Sequence, residues 1–130
     1  MVEDKVGPKE YLGIKINYDN EKRLDKFSLD TLKDRYFTGE ETHAQEAFAR
    51  ASVFAATYKG HTDFELAQRL YDYSSKCWFM FSTPILSNGG TSRGLPISCF
   101  LNYVPDSRTG LSSHYDENIW LASSGGGIGG

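Results

Sequence analysis

The stretch that most constrains the fold of this chain runs from Phe81 to Tyr103, where turn-forming residues separate two runs with β-strand character. The two runs are residues 84–86 and 97–103. We predict two strands joined by a loop rich in Gly, Asn and Pro, with Thr83 at the start of the first strand and Ser98 and Cys99 on the second. Hydroxyls and a thiol beside a Gly-rich connection indicate a polar ligand site rather than core packing.

The composition bounds the classes of protein to which the chain can belong. Its 130 residues suffice for one domain, and its net charge of −3, without a run of Lys and Arg, argues against binding to a nucleic-acid backbone. No apolar run is long enough to span a bilayer, and the N-terminus does not resemble a signal peptide, so we expect a cytoplasmic protein. Disulfides are rare in that compartment, and Cys77 and Cys99 are therefore considered separately.

The N-terminal part of the chain carries weak structural signals. Residues 1–24 are charged and interrupted by Gly and Pro, so we predict an irregular segment with a mobile first dozen residues and one edge strand at 14–16. A short helix is predicted over residues 29–35, preceded by Ser28 and closing at Gly39.

Two longer helices are predicted between residues 42 and 78. Each begins with a capping-box pattern, in which Thr42 precedes Gln45 and Thr62 precedes Glu65 by three positions. Apolar residues recur at helical spacing in both, the first continuing to about Gly60 and the second keeping Cys77 and Trp78 on its apolar face. The short link between the helices favours an antiparallel pair.

The last part of the chain has the order of an α/β unit. A turn is predicted at residues 104–110 and a helix at 111–123, after the second strand. The Gly-rich run at 125–130 lacks the Lys-Ser/Thr of a phosphate loop, and a turn with positive φ is the simpler interpretation. Because a Gly-rich loop normally leads to a further element, we expect the polypeptide to stop in the middle of a fold.

Cys99 is the main candidate for chemistry. A cytosolic cysteine is most often buried and inert, but the adjacent Ser98 and the neighbouring glycines favour thiol–disulfide exchange with a second thiol. Cys77 is a poor second thiol if it lies on an apolar helix face. Thr83 and Ser98 either satisfy local backbone groups or bind a sugar or phosphate. The three histidines are dispersed, so no metal site is predicted.

Several motifs in order carry a family resemblance. Residues 83–91 read Thr-Pro-Ile-Leu-Ser-Asn-Gly-Gly-Thr, Arg93 follows, and residues 95–100 read Leu-Pro-Ile-Ser-Cys-Phe. An Asp-Ser pair at 106–107, a predicted helix and the Gly-rich segment come next. Over residues 25–130 the chain closely resembles the large (α) subunit of ribonucleotide reductase. The sequences of its motifs are most similar to those of virus-type class I members.

The resemblance implies an α+β fold in three parts. An irregular segment at 1–24 would precede a helical N-terminal domain at 25–80, and residues 81–130 would form the first strands and helix of an incomplete ten-stranded α/β barrel. The radical-bearing cysteine and the second redox thiol of the family would then lie beyond residue 130. We therefore expect the isolated fragment to be inactive and its unpaired strand edges to favour aggregation or reassociation with the missing part.

The resemblance also implies roles for residues of the stretch from Phe81 to Tyr103 and of the Gly-rich run. Cys99 would be one of two thiols that reduce the ribose 2′ position by thiyl-radical chemistry and become oxidised to a disulfide. Thr83, Ser98 and Gly127, with the backbone near Cys99, would bind the substrate nucleotide, which we expect to be a diphosphate.

Regulation and partners are implied in the same way. Asp106, Ser107 and Arg108 would belong to an allosteric site that binds a deoxynucleoside triphosphate at an α–α dimer interface. The partners would be the remainder of the α chain, a second α copy, a small (β) subunit, and a thioredoxin- or glutaredoxin-type reductant. The small subunit's metal centre, or less plausibly adenosylcobalamin, would supply the radical, with dNTP and ATP as effectors. No metal or cofactor on this chain itself, no nucleic acid and no membrane are expected.

Two other functions stay open on the residues alone. The first is a non-catalytic nucleotide-binding or interaction module without a redox role. The second is a thiol oxidoreductase that uses Cys77 and Cys99, which requires their Cα atoms to approach within about 7 Å.

Overall fold

The structure is a computed structural model that describes residues 5–124 and 126–129. The chain divides into two compact units, with the boundary between Pro96 and Ile97. The elements of the first unit are, in chain order, β1 (Pro8–Tyr11), β2 (Ile14–Asn17), a 3-10 helix (Tyr18–Arg23), α1 (Lys26–Arg35), α2 (Ala44–Ala55), β3 (Thr57–Tyr58), β4 (His61–Thr62), α3 (Phe64–Ser75) and α4 (Thr83–Asn88). The second unit contains β5 (Cys99–Leu101), α5 (Arg108–Ser123) and β6 (Gly127–Gly129). The described helices include none that is long and apolar enough to cross a membrane.

The N-terminal segment is more regular than predicted. β1 and β2 pair as an antiparallel hairpin, so the prediction of an irregular segment is wrong for β1. The predicted edge strand at 14–16 is confirmed within β2. Ile14 and Ile16 are buried while Lys15 between them is exposed, and this alternation fixes which face of the hairpin packs on the core.

Side chains of α3 close the outer edge of β2. The Gln68 amide accepts a hydrogen bond from the Lys15 N–H and donates one to the Lys15 carbonyl, each at 2.8 Å. The Tyr71 hydroxyl accepts from the Asn17 N–H at 2.8 Å. These bonds occupy the groups that a third strand would use, and the strand edge is therefore protected from pairing with another chain.

The predicted helical N-terminal domain is confirmed, with different helix starts. Asp25 rather than Ser28 precedes α1, and its carboxylate accepts from the Ser28 N–H at 2.8 Å. α2 begins after His43, with Glu46 completing the capping box, and α3 begins after Asp63. The N-cap residues of α2 and α3 therefore each lie one position after the Thr42 and Thr62 predicted from the sequence.

The link between α2 and α3 is a small hairpin. α2 ends at Ala55 instead of near Gly60, because β3 and β4 pair across a two-residue turn. Lys59 and Gly60 both have positive φ there, at 48° and 80°. Such a turn matches the twist of two antiparallel strands and needs a residue without a Cβ at one of its positions.

The core of the first unit forms around α2. Residues 44–52 of this helix are all buried, and α2 packs against α3, α4 and β2. Its alanines let the neighbouring elements approach closely, and Phe48 and Tyr71 are the largest side chains in the resulting core. Phe81 and Leu86 are buried in the same core, so the first unit continues past the domain boundary predicted at residue 80. The predicted three-part division of the chain stays a prediction.

Two predictions need correction: the position of Cys77 on the second long helix and the strand at residues 84–86. α3 ends at Ser75, and Cys77 lies beyond it with φ of 60° and an exposed side chain, so Cys77 is not on an apolar helix face. Residues 84–86 are not a strand, because they lie within α4. Pro84 sits in the first helical turn, where its missing N–H has no partner to lose and its fixed φ suits a helix.

A buried carboxylate ties the N-terminal hairpin to the start of α2. Glu46 accepts hydrogen bonds from the Lys5 ammonium at 2.6 Å, the Tyr18 hydroxyl at 2.9 Å, and the backbone N–H groups of Thr42 and His43 at 2.7 and 3.1 Å. Burial raises the pKa of Glu46, but these four donors outweigh it and hold the pKa below the ordinary value of 4.5. The ionised form therefore stabilises the fold.

Replacing Glu46 by Gln should lower the free energy of unfolding by about 1–3 kcal/mol at neutral pH, because hydrogen bonds to charged groups are the stronger ones. The folded-state pKa is depressed, so this contribution is present above pH 4.5 and is lost as the pH falls through the folded-state pKa. Urea unfolding from about pH 7 to about pH 3 should show the wild-type and Glu46→Gln values converging. Glu65→Gln, on the exposed first turn of α3, is the control and should show no such gap. A difference that stays constant with pH would contradict the assignment.

The second unit is a strand–helix–strand arrangement. β5 and β6 are parallel, in the register Cys99↔Gly127, Phe100↔Ile128 and Leu101↔Gly129, and α5 connects them. The predicted second strand and third helix are confirmed, with the strand shortened and the helix beginning at Arg108. The prediction of a turn for the Gly-rich run is wrong at Gly127–Gly129, because these residues pair with β5. Residues 125 and 130 of that run lie outside the described residues.

Candidate functional site

The parallel pairing of β5 and β6 brings three of the predicted site residues together. Cys99 and Gly127 are register partners, and the Gly127 N–H donates to the carbonyl of Ser98. The Cys99 thiol is exposed, and Ser98 is half-buried. An exposed thiol and a hydroxyl group therefore lie beside a strand that has no side chain at the position opposite the sulfur.

Glycine is required beside this site by close packing. A Cβ on Gly126 would lie 2.7 Å from the Phe100 ring and 3.0 Å from the Leu121 carbonyl oxygen. On Gly127 a Cβ would lie 3.3 Å from the Ser98 carbonyl oxygen. The Gly-rich run thus allows the chain to leave α5 and return directly alongside β5.

The three predicted effector residues lie together at the start of α5. Ser107 precedes the helix, and its hydroxyl accepts from the Gly110 N–H at 2.9 Å, so it has a structural role in capping α5. Asp106 and Arg108 on either side are exposed. These two charged side chains are free to meet a ligand without disturbing the cap.

A groove next to Ser107 contains polar residues that the sequence did not single out. Asn102 and His114 line it, and the amide of Asn102 donates to Asn118 at 2.9 Å. Within the described residues, Asn102 Oδ1 and His114 Nδ1 are buried without a hydrogen-bond partner. A polar residue just after a strand and another within a helix form no sequence motif, and only the fold brings them together.

Thr83 belongs to the first unit, where it is the first residue of α4. Its exposed hydroxyl lies 3.2 Å from the Tyr36 hydroxyl. A shallow groove with mostly apolar walls contains this pair, and its walls include Phe27, Met80 and Leu86.

Arg50 fixes α4 from the inside of the first unit. The guanidinium donates to the carbonyls of Leu86 at 2.9 Å and Gly89 at 2.7 Å, both at the C-terminal end of α4. It also donates to Glu41 at 2.6 Å and to the Tyr36 carbonyl at 3.2 Å. The sequence contained no signal for this role, because the partners lie far from Arg50 along the chain.

The remaining candidates are few. Cys77 and Cys99 are both free and exposed, one in each unit. In the described part of the chain, no group of three His, Cys, Asp or Glu side chains is arranged to hold a metal ion.

A family model described as the ribonucleotide reductase all-alpha domain matches residues 22–94, more than half of the chain. The chain belongs to the ribonucleotide reductase large-subunit family. The match covers α1 to α4, the part of the structure that is predominantly helical, and it confirms the family predicted from the motifs.

Curated relatives extend the ribonucleotide reductase similarity into the second unit. The chain is 40% identical over 114 residues to the ribonucleoside-diphosphate reductase large subunit of Invertebrate iridescent virus 6, covering 88% of this chain and 11% of the relative. It is 43% identical over 116 residues to that of Invertebrate iridescent virus 3, covering 89% of this chain and 18% of the relative. A bacterial relative, the ribonucleoside-diphosphate reductase subunit alpha of Helicobacter pylori strain 26695, is 28% identical over 125 residues, or 92% of this chain and 16% of its own length.

The two iridescent virus relatives agree with the predicted resemblance to virus-type members. The chain spans 11% and 18% of the lengths of the two iridescent virus subunits. The individual roles predicted for Thr83, Ser98, Cys99, Gly127 and residues 106–108 of this ribonucleotide reductase chain stay predictions.

Proposed function

We propose that this chain forms part of a large subunit that reduces ribonucleoside diphosphates to deoxyribonucleoside diphosphates. One observation carries the proposal: strand pairing sets an exposed thiol, Cys99, against Gly127 and beside Ser98 in a member of this family. The names of the relatives, ribonucleoside-diphosphate reductases, support the choice of a diphosphate substrate.

The chemistry requires two thiols and one substrate hydroxyl. The C2′–O bond of the ribose breaks, a C2′–H bond forms, and the hydroxyl leaves as water. The two electrons come from two thiols, which are oxidised to one disulfide and lose their protons in doing so. Cys99 supplies one sulfur, and a cysteine on further polypeptide supplies the other. The radical that starts the reaction is proposed to come from a metal-containing small subunit.

The proposed substrate contacts are of two kinds, hydrogen bonds from hydroxyl side chains and space provided by a glycine. Ser98 and Thr83 offer hydroxyl groups, which donate to and accept from ribose and phosphate oxygens. The N–H of Gly127 is already bonded to the Ser98 carbonyl, so Gly127 contributes space for the nucleotide rather than a donor. Such space lets the ribose approach the Cys99 sulfur.

Regulation is proposed to act through the start of α5. Asp106 accepts a hydrogen bond from the 3′-hydroxyl of the deoxyribose of a deoxynucleoside triphosphate, and Arg108 pairs with its phosphates. We further propose a second copy of the large subunit and a dithiol protein reductant as partners. Because the proposed second redox sulfur belongs to further polypeptide, the chain by itself should not turn over.

The test is a reductase assay on the complete large subunit that contains this chain, together with its small subunit and a dithiol reductant. Each ribonucleoside diphosphate should be converted to the deoxyribonucleotide, and added deoxynucleoside triphosphates should change which substrate is preferred. Nucleotide binding without any reduction would overturn the proposal and favour a non-catalytic nucleotide-binding module. The chain alone, assayed in parallel, should give no product.

A further inference from the structure

The Thr83 hydroxyl has a defined neighbour, the Tyr36 hydroxyl at 3.2 Å, contributed by the residue that follows α1. The two residues are 47 positions apart in sequence, so the contact depends on the tertiary packing that brings the start of α4 beside the end of α1. Both oxygens are at the surface, within a groove whose walls are mostly apolar. The hydroxyl groups of Tyr36 and Thr83 therefore form a small polar site in a mostly apolar groove.

A single side chain holds both partners of this contact. One nitrogen of the Arg50 guanidinium, Nη2, donates to the Tyr36 carbonyl at 3.2 Å and to the Leu86 carbonyl of α4 at 2.9 Å. The Arg50 side chain is only 8% exposed, so its position is fixed by packing. Because the backbone of Tyr36 and the helix that carries Thr83 share this anchor, the two residues are held beside each other before a ligand arrives.

The chemistry of the two hydroxyls sets the direction of the bond. A phenol is a better hydrogen-bond donor than an aliphatic alcohol, and each hydroxyl has one proton to donate. With Tyr36 donating to Thr83, the Thr83 proton points away from Tyr36 and is available to an acceptor oxygen. An oxygen of a nucleotide phosphate or ribose is such an acceptor.

We infer that Tyr36 is a positioning residue that orients the Thr83 hydroxyl toward a nucleotide oxygen. The inference rests on the proposed function, because it assumes that Thr83 contacts the substrate. Tyr36 acts only through Thr83, so its removal weakens substrate binding and leaves the reacting atoms untouched.

The experiment is a double-mutant cycle in the complete large subunit assayed with its small subunit. Tyr36→Phe keeps the ring and removes only the hydroxyl, and it should raise KM for a ribonucleoside diphosphate about 2- to 10-fold with kcat unchanged, as expected for one neutral hydrogen bond. Thr83→Val should raise KM at least as much. Adding Tyr36→Phe to Thr83→Val should then have no further effect.

The controls distinguish an error in the proposed substrate contact of Thr83 from an error in the positioning role of Tyr36. Tyr58→Phe removes an exposed hydroxyl from β3 and should leave KM unchanged, and melting temperatures should show that every variant folds. If Thr83→Val does not change KM, the proposed substrate contact of Thr83 is wrong. If Thr83→Val raises KM but Tyr36→Phe has no effect, or its effect adds fully to that of Thr83→Val, the positioning role of Tyr36 is wrong while the proposed function stands.

Discussion

Replacing Cys99 by serine should abolish repeated ribonucleotide reduction by the complete large subunit, lowering turnover at least about 10³-fold as expected when an essential reacting group is removed. Serine keeps the size and polarity of the side chain but cannot form a disulfide. The two electrons that the ribose needs are then unavailable from this pair of thiols. Because β5 and β6 are held by backbone pairing, the site itself should persist, and nucleotide binding should be close to that of the wild type. Product formation and equilibrium nucleotide binding measure the two effects separately.

Cys77 provides a matched control for this experiment. It is also free and exposed, but it lies in the first unit, at the end of α3. Cys77→Ser should therefore keep full turnover. A second readout is alkylation after a single turnover without reductant, when Cys99 should be protected as a disulfide and Cys77 should still react. Retained turnover in Cys99→Ser, or protection of Cys77 instead, would contradict the proposed role and favour a different thiol chemistry.

The helical domain could be predicted from local patterns, while the exact starts of its helices could not. Apolar residues at helical spacing correctly indicated α2 and α3. The Ser/Thr capping motif, however, indicated Thr42 with Gln45, whereas the pair at the start of α2 is His43 with Glu46. The structure uses the second pair because the Glu46 carboxylate is also bonded to Tyr18, 28 residues away. Such a distant partner leaves no local signal.

The candidate site was predictable only where residues lie close in sequence. Ser98 and Cys99 stood out beside the Gly-rich loop, but their approach to Gly127 depends on parallel pairing through the α5 crossover, and only the family resemblance linked them. The prediction of a strand at residues 84–86 was wrong because the local pattern was ambiguous. A short apolar run after a proline fits a strand or a helical turn equally well, and packing against Arg50 selects the helix.

Replacing Arg50 by methionine should lower the free energy of unfolding by about 3–5 kcal/mol, the usual result of removing one partner from a buried ion pair. Methionine fills similar space but donates no hydrogen bonds. The Glu41 side chain, only 3% exposed, would lose the guanidinium that now lies 2.6 Å away. The carbonyls of Leu86 and Gly89 would also lose their donors, so α4 should loosen from the core. For a unit of this size, we expect the melting temperature to fall by at least about 10 °C.

Two further variants test whether the loss arises from the unpaired charge. Adding Glu41→Gln to Arg50→Met removes the buried charge, and this double variant should be more stable than Arg50→Met alone. Arg69→Met changes an exposed arginine on α3 and should alter the free energy of unfolding by no more than about 0.5 kcal/mol. Urea unfolding of the four proteins measures these differences directly. If Arg50→Met is no more destabilising than Arg69→Met, the anchoring of α4 does not depend on the guanidinium, and the placement of Tyr36 beside Thr83 loses its proposed structural cause.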